Sequence, residues 1–100
     1  MEIDDLLSKC TGFEWDEGNL QKNWEVHRVS VFECEQIFFN YPLTVASDAR
    51  HSEKESRHYA LGHTDKGRLL YVVLIIRKSL VRVMSARDMS RKEGKVYEQS

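Results

Sequence analysis

The spacing of hydrophobic residues changes about half-way along the chain. In the first part, apolar residues recur three or four positions apart, which is typical of helices that pack one face on a core. This pattern predicts a first helix over about 16–26, with Asp16 as its N-cap, and a second over about 30–39 that starts at the capping box Ser30–Glu33. Before them, 13–15 is expected to be a short strand or an extended entry.

The second part has the alternating or continuous apolar patterns of strands, at 43–46, 57–62, 69–76 and 80–86. The run LLYVVLII at 69–76 suits a central strand that is buried on both faces. A polar loop is expected over 47–56, and the capping box Ser90–Glu93 predicts a third helix. The order α-α-β-β-β-β-α indicates an α+β fold: N-terminal helices packed on a four-stranded antiparallel sheet, with a C-terminal helix.

The length of 100 residues fits one domain with a small core. No apolar run approaches the roughly 20 residues that a membrane-spanning helix needs. The start, MEIDDLLSKC, lacks the basic region of a signal peptide, so we expect a cytoplasmic protein. Cys10 and Cys34 fit no metal or redox motif, and two free thiols are expected rather than a disulfide.

Charge is divided unevenly along the chain, although the formal net charge is only −1. Residues 1–49 contain 3 basic and 10 acidic residues, whereas residues 50–100 contain 12 basic and 6 acidic ones. The halves therefore carry −7 and +6. A basic half suits an anionic ligand, but the two halves could equally attract each other within one domain.

Five arginines lie on or beside the predicted strands: Arg57, Arg68, Arg77, Arg82 and Arg87. An antiparallel meander can bring such residues together, and guanidinium groups bind phosphate oxygens through paired hydrogen bonds. The alternative is that they keep the sheet soluble and pair with Glu14, Glu53 or Glu55. Arg77 lies at a turn, where we expect it to be solvated.

Two further residues could take part in proton transfer. His27 follows the first helix, where an imidazole could act as general acid or base or could simply bind a carbonyl at the helix end. Glu55 and Arg57 share one face of a strand, so Glu55 could orient Arg57, act as a base, or form only a surface ion pair.

Other residues invite a functional interpretation that their spacing does not support. His51, His58 and His63 have spacings of 7 and 5, which match no metal motif, so no metal site is predicted. Trp15, Trp24 and Phe38 could stack on bases, and Tyr97 could reach the site, but all four aromatic residues are expected in the core.

The segment VRVMSARDMSRKEGKVY at 81–97 resembles the C-terminal signature of BrnT-type toxins, small bacterial proteins with a RelE-like fold. The matching residues there are Arg82, Ser85, Ala86, Arg87, Met89, Arg91, Glu93, Tyr97 and Glu98. Further matches follow in order: FEWD at 13–16, Asn23, HRVS at 27–30, ECEQIF at 33–38, Glu55 with Arg57, Gly62, and TDKGRLL at 64–70. The chain departs from the pattern at Asn19 and Val26, where the family has lysine, and at Gly94, where it usually has arginine.

This resemblance implies a single RelE-like toxin domain over 13–100, preceded by an N-terminal extension at 1–12. It implies a metal-independent endoribonuclease, without a cofactor, that inhibits translation by cleaving RNA. It also implies neutralisation by a BrnA-like antitoxin, with promoter DNA bound only through that antitoxin. The alternative is a weakened toxin-like module that acts mainly by binding its antitoxin or another protein.

The resemblance also favours a function for particular residues. Arg57, Arg82 and Arg87 are expected to hold the scissile phosphate and stabilise the transition state, while His27 or Glu55 moves protons. The remaining expected RNA contacts are Arg68, Arg91 and Lys92.

Overall fold

A computed structural model of the protein describes residues 7–47 and 57–99. Its elements along the chain are β1 (Gly12–Glu14), α1 (Glu17–His27), α2 (Val31–Gln36), a 3-10 turn (Ile37–Phe39), β2 (Thr44–Ser47), β3 (Arg57–His63), β4 (Leu69–Arg77), β5 (Leu80–Asp88) and α3 (Arg91–Glu98). Within the described ranges, none of the helices has the length and apolar composition to cross a membrane. The predicted α+β class is confirmed.

The strands form one sheet in the order β1-β5-β4-β3-β2. Strands β2 to β5 make the predicted antiparallel meander. β1 adds a fifth strand, which pairs with β5 in parallel from Gly12↔Leu80 to Glu14↔Arg82. The prediction of a four-stranded, purely antiparallel sheet is therefore wrong, because a three-residue strand is too short to show an alternating pattern and its partner lies 68 residues away.

The predicted helix starts are confirmed. The Asp16 carboxylate accepts a hydrogen bond from the backbone N–H three residues on, at 3.1 Å. Ser30 and Ser90 each form both hydrogen bonds of a capping box, with Glu33 and Glu93. Each cap stabilises its helix by about 1 kcal/mol. The caps therefore fix where α1, α2 and α3 begin.

The helices α1 and α2 and the 3-10 turn cover one side of the sheet. The buried cluster on that side comprises Val29, Cys34, Ile37, Ala60, Leu70, Val72, Leu74, Val81, Val83 and Ala86. Leu7 and Cys10, from the predicted N-terminal extension, pack against it. Both cysteines are free thiols, and burial raises the pKa of Cys34 to about 12, which makes it a poor nucleophile.

The predicted core aromatics differ in their burial. Phe38 and Trp15 pack against the core, and the Trp15 indole N–H donates to Glu35 at 2.9 Å. Trp24 remains 49% exposed, so its predicted core position is wrong. The inward position of α1 belongs instead to its neighbour Asn23, whose amide oxygen accepts from the backbone N–H of Ala86 at 3.2 Å.

A β-bulge interrupts β5. Val73 pairs with Ser85 and Leu74 pairs with Val83, so Met84 is an extra residue with no partner on β4. A residue inserted in this way shifts the alternation of all later side chains. Arg82 and Arg87 are five positions apart and would face opposite sides of a regular strand. The bulge puts them on the same side.

Substitution of Gly94 by alanine is expected to raise the free energy of unfolding by about 0.5–1 kcal/mol, because glycine is a poor residue for a helix interior. A Cβ at Gly94 would have nothing within 4 Å. Gly62→Ala is the matched control, since its Cβ would lie 2.9 Å from the Ile37 Cβ and must displace it. Urea unfolding of both variants checks this, and equal effects would contradict it.

Candidate active site

The side of the sheet away from α1 and α2 carries four of the five predicted arginines: Arg57, Arg82, Arg87 and, at the turn that ends β4, Arg77. The register gives this directly: Arg57 and Arg82 both pair with Ile75, while Arg87 pairs with Tyr71. Tyr71 and Ile75 are four positions apart on an uninterrupted strand, so they and their partners share one side. We call the surface formed by Arg57, Tyr59, Tyr71, Arg82 and Arg87 the arginine face.

Arg57 and Arg82 flank the central strand β4 symmetrically. Since neighbouring strands lie about 4.8 Å apart, their Cα atoms are about 10 Å apart across Ile75. Long guanidinium side chains on either side of such a gap can reach a common anion. The meander places Arg57, Arg82 and Arg87 on one side of the sheet, and it does so only because of the bulge at Met84.

Arg82 is held by two carboxylates at the edge of the sheet. Its Nη1 donates to Glu14 Oε1 at 2.6 Å, and its Nη2 lies 3.5 Å from Asp16 Oδ2. Glu14 is the residue that pairs with Arg82 between β1 and β5. The Nε of Arg82 is buried and makes no hydrogen bond within the described residues. Arg82 thus combines a structural ion pair with guanidinium N–H groups, Nε–H among them, that make no hydrogen bond within the described residues.

Arg87 is fixed by α3. Its Nη1 and Nη2 donate to the two carboxylate oxygens of Glu93 at 2.8 and 2.9 Å, and Nη1 also donates to the carbonyl of Asp88 at 3.1 Å. The hydrogen bonds from Arg87 lower the pKa of Glu93, and the same bonds raise the pKa of Arg87. The Arg87 side chain is still 38% exposed. The capping box of α3 therefore also orients a cation on the arginine face.

Arg68 has a different environment, at the junction of α1, α2 and β5. Its Nε and Nη2 donate to Asp88 at 2.7 and 3.1 Å, and its Nη1 donates to Glu33 at 2.9 Å. The two remaining N–H groups donate to the carbonyls of His27 and Arg28. All five donors of the guanidinium are used within the molecule. Arg68 thus links helix ends and has no donor left for RNA in this arrangement.

Of the two predicted proton-transfer residues, the structure describes only His27, which lies away from the arginine face. His27 is the exposed last residue of α1. Hydrogen bonds from Arg68 are the largest cause that lowers the pKa of Asp88, and the positive form of His27 lowers it further. Glu55 lies outside the described residues. Arg91 and Lys92 are exposed in the first turn of α3, close in sequence to Arg87.

Of the histidines considered for a metal site, the two that the structure describes, His58 and His63, do not converge. His58 and His63 are five positions apart on β3, and they face opposite sides of the sheet as predicted; His51 lies outside the described residues. His58 faces the side of the sheet that α1 and α2 cover, which we call the helix-covered side. Burial there lowers its pKa and favours the neutral ring. His63 lies on the same side as the arginine face.

His63 is positioned by Tyr97, which is buried as predicted. The Tyr97 hydroxyl lies 2.8 Å from His63 Nδ1 and 2.6 Å from the carbonyl oxygen of Pro42. A carbonyl can only accept, so the single hydroxyl proton is donated to Pro42 and the Nδ1–H of His63 donates to Tyr97. In a neutral ring this arrangement leaves the lone pair on Nε2.

A sequence model of the family described as "Ribonuclease toxin, BrnT, of type II toxin-antitoxin system" matches residues 15–93. The chain belongs to the BrnT family. Among solved structures, the crystal structure of the Brucella abortus ribonuclease toxin BrnT is similar to this BrnT family member, with a TM-score of 0.61 and 20% sequence identity. That similarity covers 81% of this chain and 99% of the Brucella chain, and it concerns the fold. No curated protein sequence matches the chain.

Membership of the BrnT family confirms the resemblance carried by the C-terminal signature. The family is one of ribonuclease toxins of type II toxin–antitoxin systems, so RNA is the expected substrate and an antitoxin the expected partner. Sequence patterns did not single out Tyr59 and Tyr71, and they pointed to His63 only as a metal candidate, although all three lie on the same side of the sheet as Arg57 and Arg87. The pairing of β3, β4 and β5 is the signal that locates the two tyrosines. Tyr59 lies two positions from Arg57 on β3 and so faces the same side, and Tyr71 pairs directly with Arg87.

Proposed function

We propose that this BrnT family member is a metal-independent endoribonuclease that inhibits translation by cleaving RNA at the arginine face. One observation supports this most strongly: the three arginines expected to act on phosphate lie on one side of the sheet, opposite the helix-covered side. Cleavage within an RNA strand concentrates negative charge on the phosphate oxygens in the transition state. Fixed guanidinium donors aimed at that charge lower the barrier.

The proposed reaction uses the RNA's own 2′-hydroxyl as nucleophile. The 2′-oxygen attacks the adjacent phosphorus, and the bond to the 5′-oxygen of the next nucleotide breaks. One product ends in a 2′,3′-cyclic phosphate and the other begins with a 5′-hydroxyl. The 2′-hydroxyl loses a proton and the leaving 5′-oxygen gains one, so atoms and charges balance without a metal ion.

Three residues are proposed for these proton transfers. His27 and Glu55 keep the role that the family resemblance implies for them. His63 is added because it lies on the same side as Arg57 and because Tyr97 fixes its ring with Nε2 free to accept a proton. Alanine at each position separates them: loss of kcat at one position, with the other two unaffected, identifies the group that moves the proton.

The proposal is tested with purified protein, a reporter RNA and a translation extract. We expect cleavage to continue at the same rate in 5 mM EDTA, on the order of the concentration that removes free divalent ions. A reporter with 2′-deoxy nucleotides should stay intact, since the nucleophile is absent. Cleavage that stops in EDTA and returns with Mg²⁺ would show a metal-dependent enzyme instead.

We propose that a BrnA-like antitoxin neutralises the toxin by covering the arginine face, and that promoter DNA is bound only through this antitoxin. The uneven charge supports a basic target surface, since residues 50–100 carry 12 basic and 6 acidic residues. An acidic segment of the antitoxin would then compete with RNA for the same arginines. A complex that cleaves RNA as fast as the free toxin would contradict this.

A weakened toxin that acts mainly by binding a partner is the second candidate. It is favoured by Asn19 and Val26, which stand where the family pattern has lysine, because two positive charges are then missing. Val26 is 62% exposed near the end of α1, and Asn19 lies in the first part of the same helix. Lysine fits at Val26 without burial. If Asn19→Lys/Val26→Lys raises cleavage of the reporter RNA tenfold or more while the natural chain cleaves little, the weakened-toxin candidate is supported.

A further inference from the structure

Tyr59, Tyr71 and Arg87 form one stack across the arginine face. The rings of Tyr59 and Tyr71 have centroids 5.6 Å apart and planes inclined by only 20°. The guanidinium carbon of Arg87 lies 4.1 Å from the centroid of the Tyr71 ring. We propose that this stack binds one unpaired nucleobase of single-stranded RNA, next to the phosphate that is cleaved. The proposal rests on the proposed nuclease function and names how its substrate is held.

The strand register explains why these three side chains meet. Tyr71 pairs directly with Arg87, whereas Tyr59 pairs with Val73 and is the diagonal neighbour of Tyr71. Diagonal neighbours on a sheet are about 7–8 Å apart at Cα, a distance that aromatic side chains bridge. The bulge at Met84 is again required, because without it Arg87 would face the helix-covered side. The stack follows a line across β3, β4 and β5.

The stack is held rigid before any ligand arrives. Glu93 fixes the guanidinium plane of Arg87 with two hydrogen bonds, and that plane lies over the Tyr71 ring. The side chain of Arg87 still has Nε–H and one Nη2–H without a hydrogen bond among the described residues. A cation so placed can contact a phosphate while its ring partner orders the neighbouring base. Preorganisation of this kind reduces the entropy lost on binding.

Among the residues that the structure describes, Tyr59 ends the stack on the side of β2. Its direct neighbour on β2 is Ala46, whose methyl group is too small to cover an aromatic ring. All three members of the stack are only partly buried, in contrast to the fully buried Leu70, Val72 and Leu74 of the other side. A stack that served only as core packing would be closed on both ends. A planar base can extend the stack beyond the Tyr59 ring, above Ala46.

The position of the stack relative to the arginines indicates a nucleobase as its ligand. Arg57 lies two residues from Tyr59 on the same strand and the same side, which is about 7 Å along the strand. One nucleotide of an extended strand can span that separation, with its base on Tyr59 and its phosphate at Arg57. Stacking on tyrosine accepts every base, because each has a π face. The subsite therefore selects for unpaired RNA rather than for a particular base.

The test is binding of a fluorescein-labelled 2′-O-methyl RNA hexamer, measured by fluorescence anisotropy. The blocked 2′-oxygen cannot attack, so binding is measured without cleavage. Tyr59→Ala is expected to weaken binding about 5- to 100-fold, the range that loss of one stacked base produces. Tyr59→Trp and Tyr59→Phe should bind within about threefold of the natural protein, since they keep the ring. Binding by Tyr59→Ala equal to that of the natural chain would refute the subsite.

Two controls separate stacking from a structural effect. Tyr59→Leu keeps apolar bulk and removes the ring, so it should weaken binding like alanine even if the alanine variant proves unstable. A hexamer with one abasic position should bind the natural protein less tightly, and Tyr59→Ala should no longer distinguish it from the complete hexamer. If Tyr59→Leu binds RNA normally but binds the antitoxin weakly, the stack is a protein contact and the RNA subsite is refuted.

Failure of the subsite is distinguishable from failure of the nuclease proposal. Natural protein that cleaves the reporter RNA, together with a Tyr59→Leu variant of unchanged KM and kcat, would leave the nuclease standing and remove the subsite. Natural protein that cleaves no RNA but binds the hexamer through Tyr59 would support the subsite and remove the nuclease proposal. In the supporting outcome, Tyr59→Leu raises KM for single-stranded RNA more than it lowers kcat.

Discussion

Alanine at Arg87 is expected to lower kcat for RNA cleavage about a hundredfold or more, the usual effect of removing one fixed donor from a site where negative charge develops. Glu93 holds the guanidinium at two points, so the donor is oriented before substrate binds. The charge on the phosphate oxygens is greatest in the transition state, so kcat should fall more than KM rises. Single-turnover cleavage of a labelled RNA gives both quantities.

Two variants show whether that loss is specific to Arg87. Lys22→Ala removes one positive charge from an exposed position of α1, on the helix-covered side, and should leave kcat within about twofold, as is usual for an exposed residue away from the site. Arg87→Lys keeps the charge but not the planar pair of donors, so its kcat should lie between those of alanine and the natural residue. Equal cleavage by Arg87→Ala and Lys22→Ala would remove Arg87 from the site.

Arg68→Met is expected to lower the free energy of unfolding by about 2–3 kcal/mol, because hydrogen bonds to charged groups are stronger than neutral ones and several are lost together. The guanidinium donates to Glu33 and Asp88 and to two carbonyls at the end of α1, and its side chain is 28% exposed. Urea unfolding followed by tryptophan fluorescence measures the change. Arg91→Met, at an exposed position of α3, should change the stability by no more than about 0.5 kcal/mol.

The same arginine makes stability depend on acidity. Hydrogen bonds from Arg68 lower the pKa of Asp88, and although burial raises the pKa of Glu33, bonds from Ser30 and Arg68 leave it below its ordinary value. A carboxylate whose pKa is lower in the folded chain stabilises the fold above its unfolded pKa, about 4, and loses this contribution as the pH falls through the folded value. The natural protein should lose stability steeply below pH 4. Arg68→Met should lose less over that range, and parallel curves would contradict the assignment.

The helices and the main strands were predictable because their signals are local. A capping box needs four residues, and the apolar run at 69–76 is visible without knowledge of its partners. The choice of Arg57, Arg82 and Arg87 rested on a family resemblance, since strict alternation would have separated Arg82 from Arg87. No pattern in the sequence marks Met84 as the extra residue, because a bulge is defined by pairing with another strand.

The interactions that sequence reasoning missed are long-range. Arg68 was expected to contact RNA, but its carboxylate and carbonyl partners lie 20 to 41 positions away and appear together only in the folded chain. By contrast, an ion pair between Glu14 and Arg82 was among those that the alternative interpretation of the arginines allowed, although the sequence did not single it out. Tyr71 was counted as part of an apolar strand, since a tyrosine within LLYVVLII has the same pattern whether it is buried or stacked beside a cation.

The pairing of β1 with β5 determines how late in synthesis the edge of the sheet can form. Synthesis runs from the N-terminus, so Glu14 leaves the ribosome long before Leu80–Arg82, the segment with which β1 pairs. Until that segment emerges, neither the parallel strand pair nor the ion pair at 2.6 Å between Glu14 and Arg82 can form. A chain interrupted before residue 82 lacks Arg82 and Arg87 altogether. Only a product translated beyond Arg87 contains all three arginines, so termination before that residue yields fragments without the complete proposed cleavage centre.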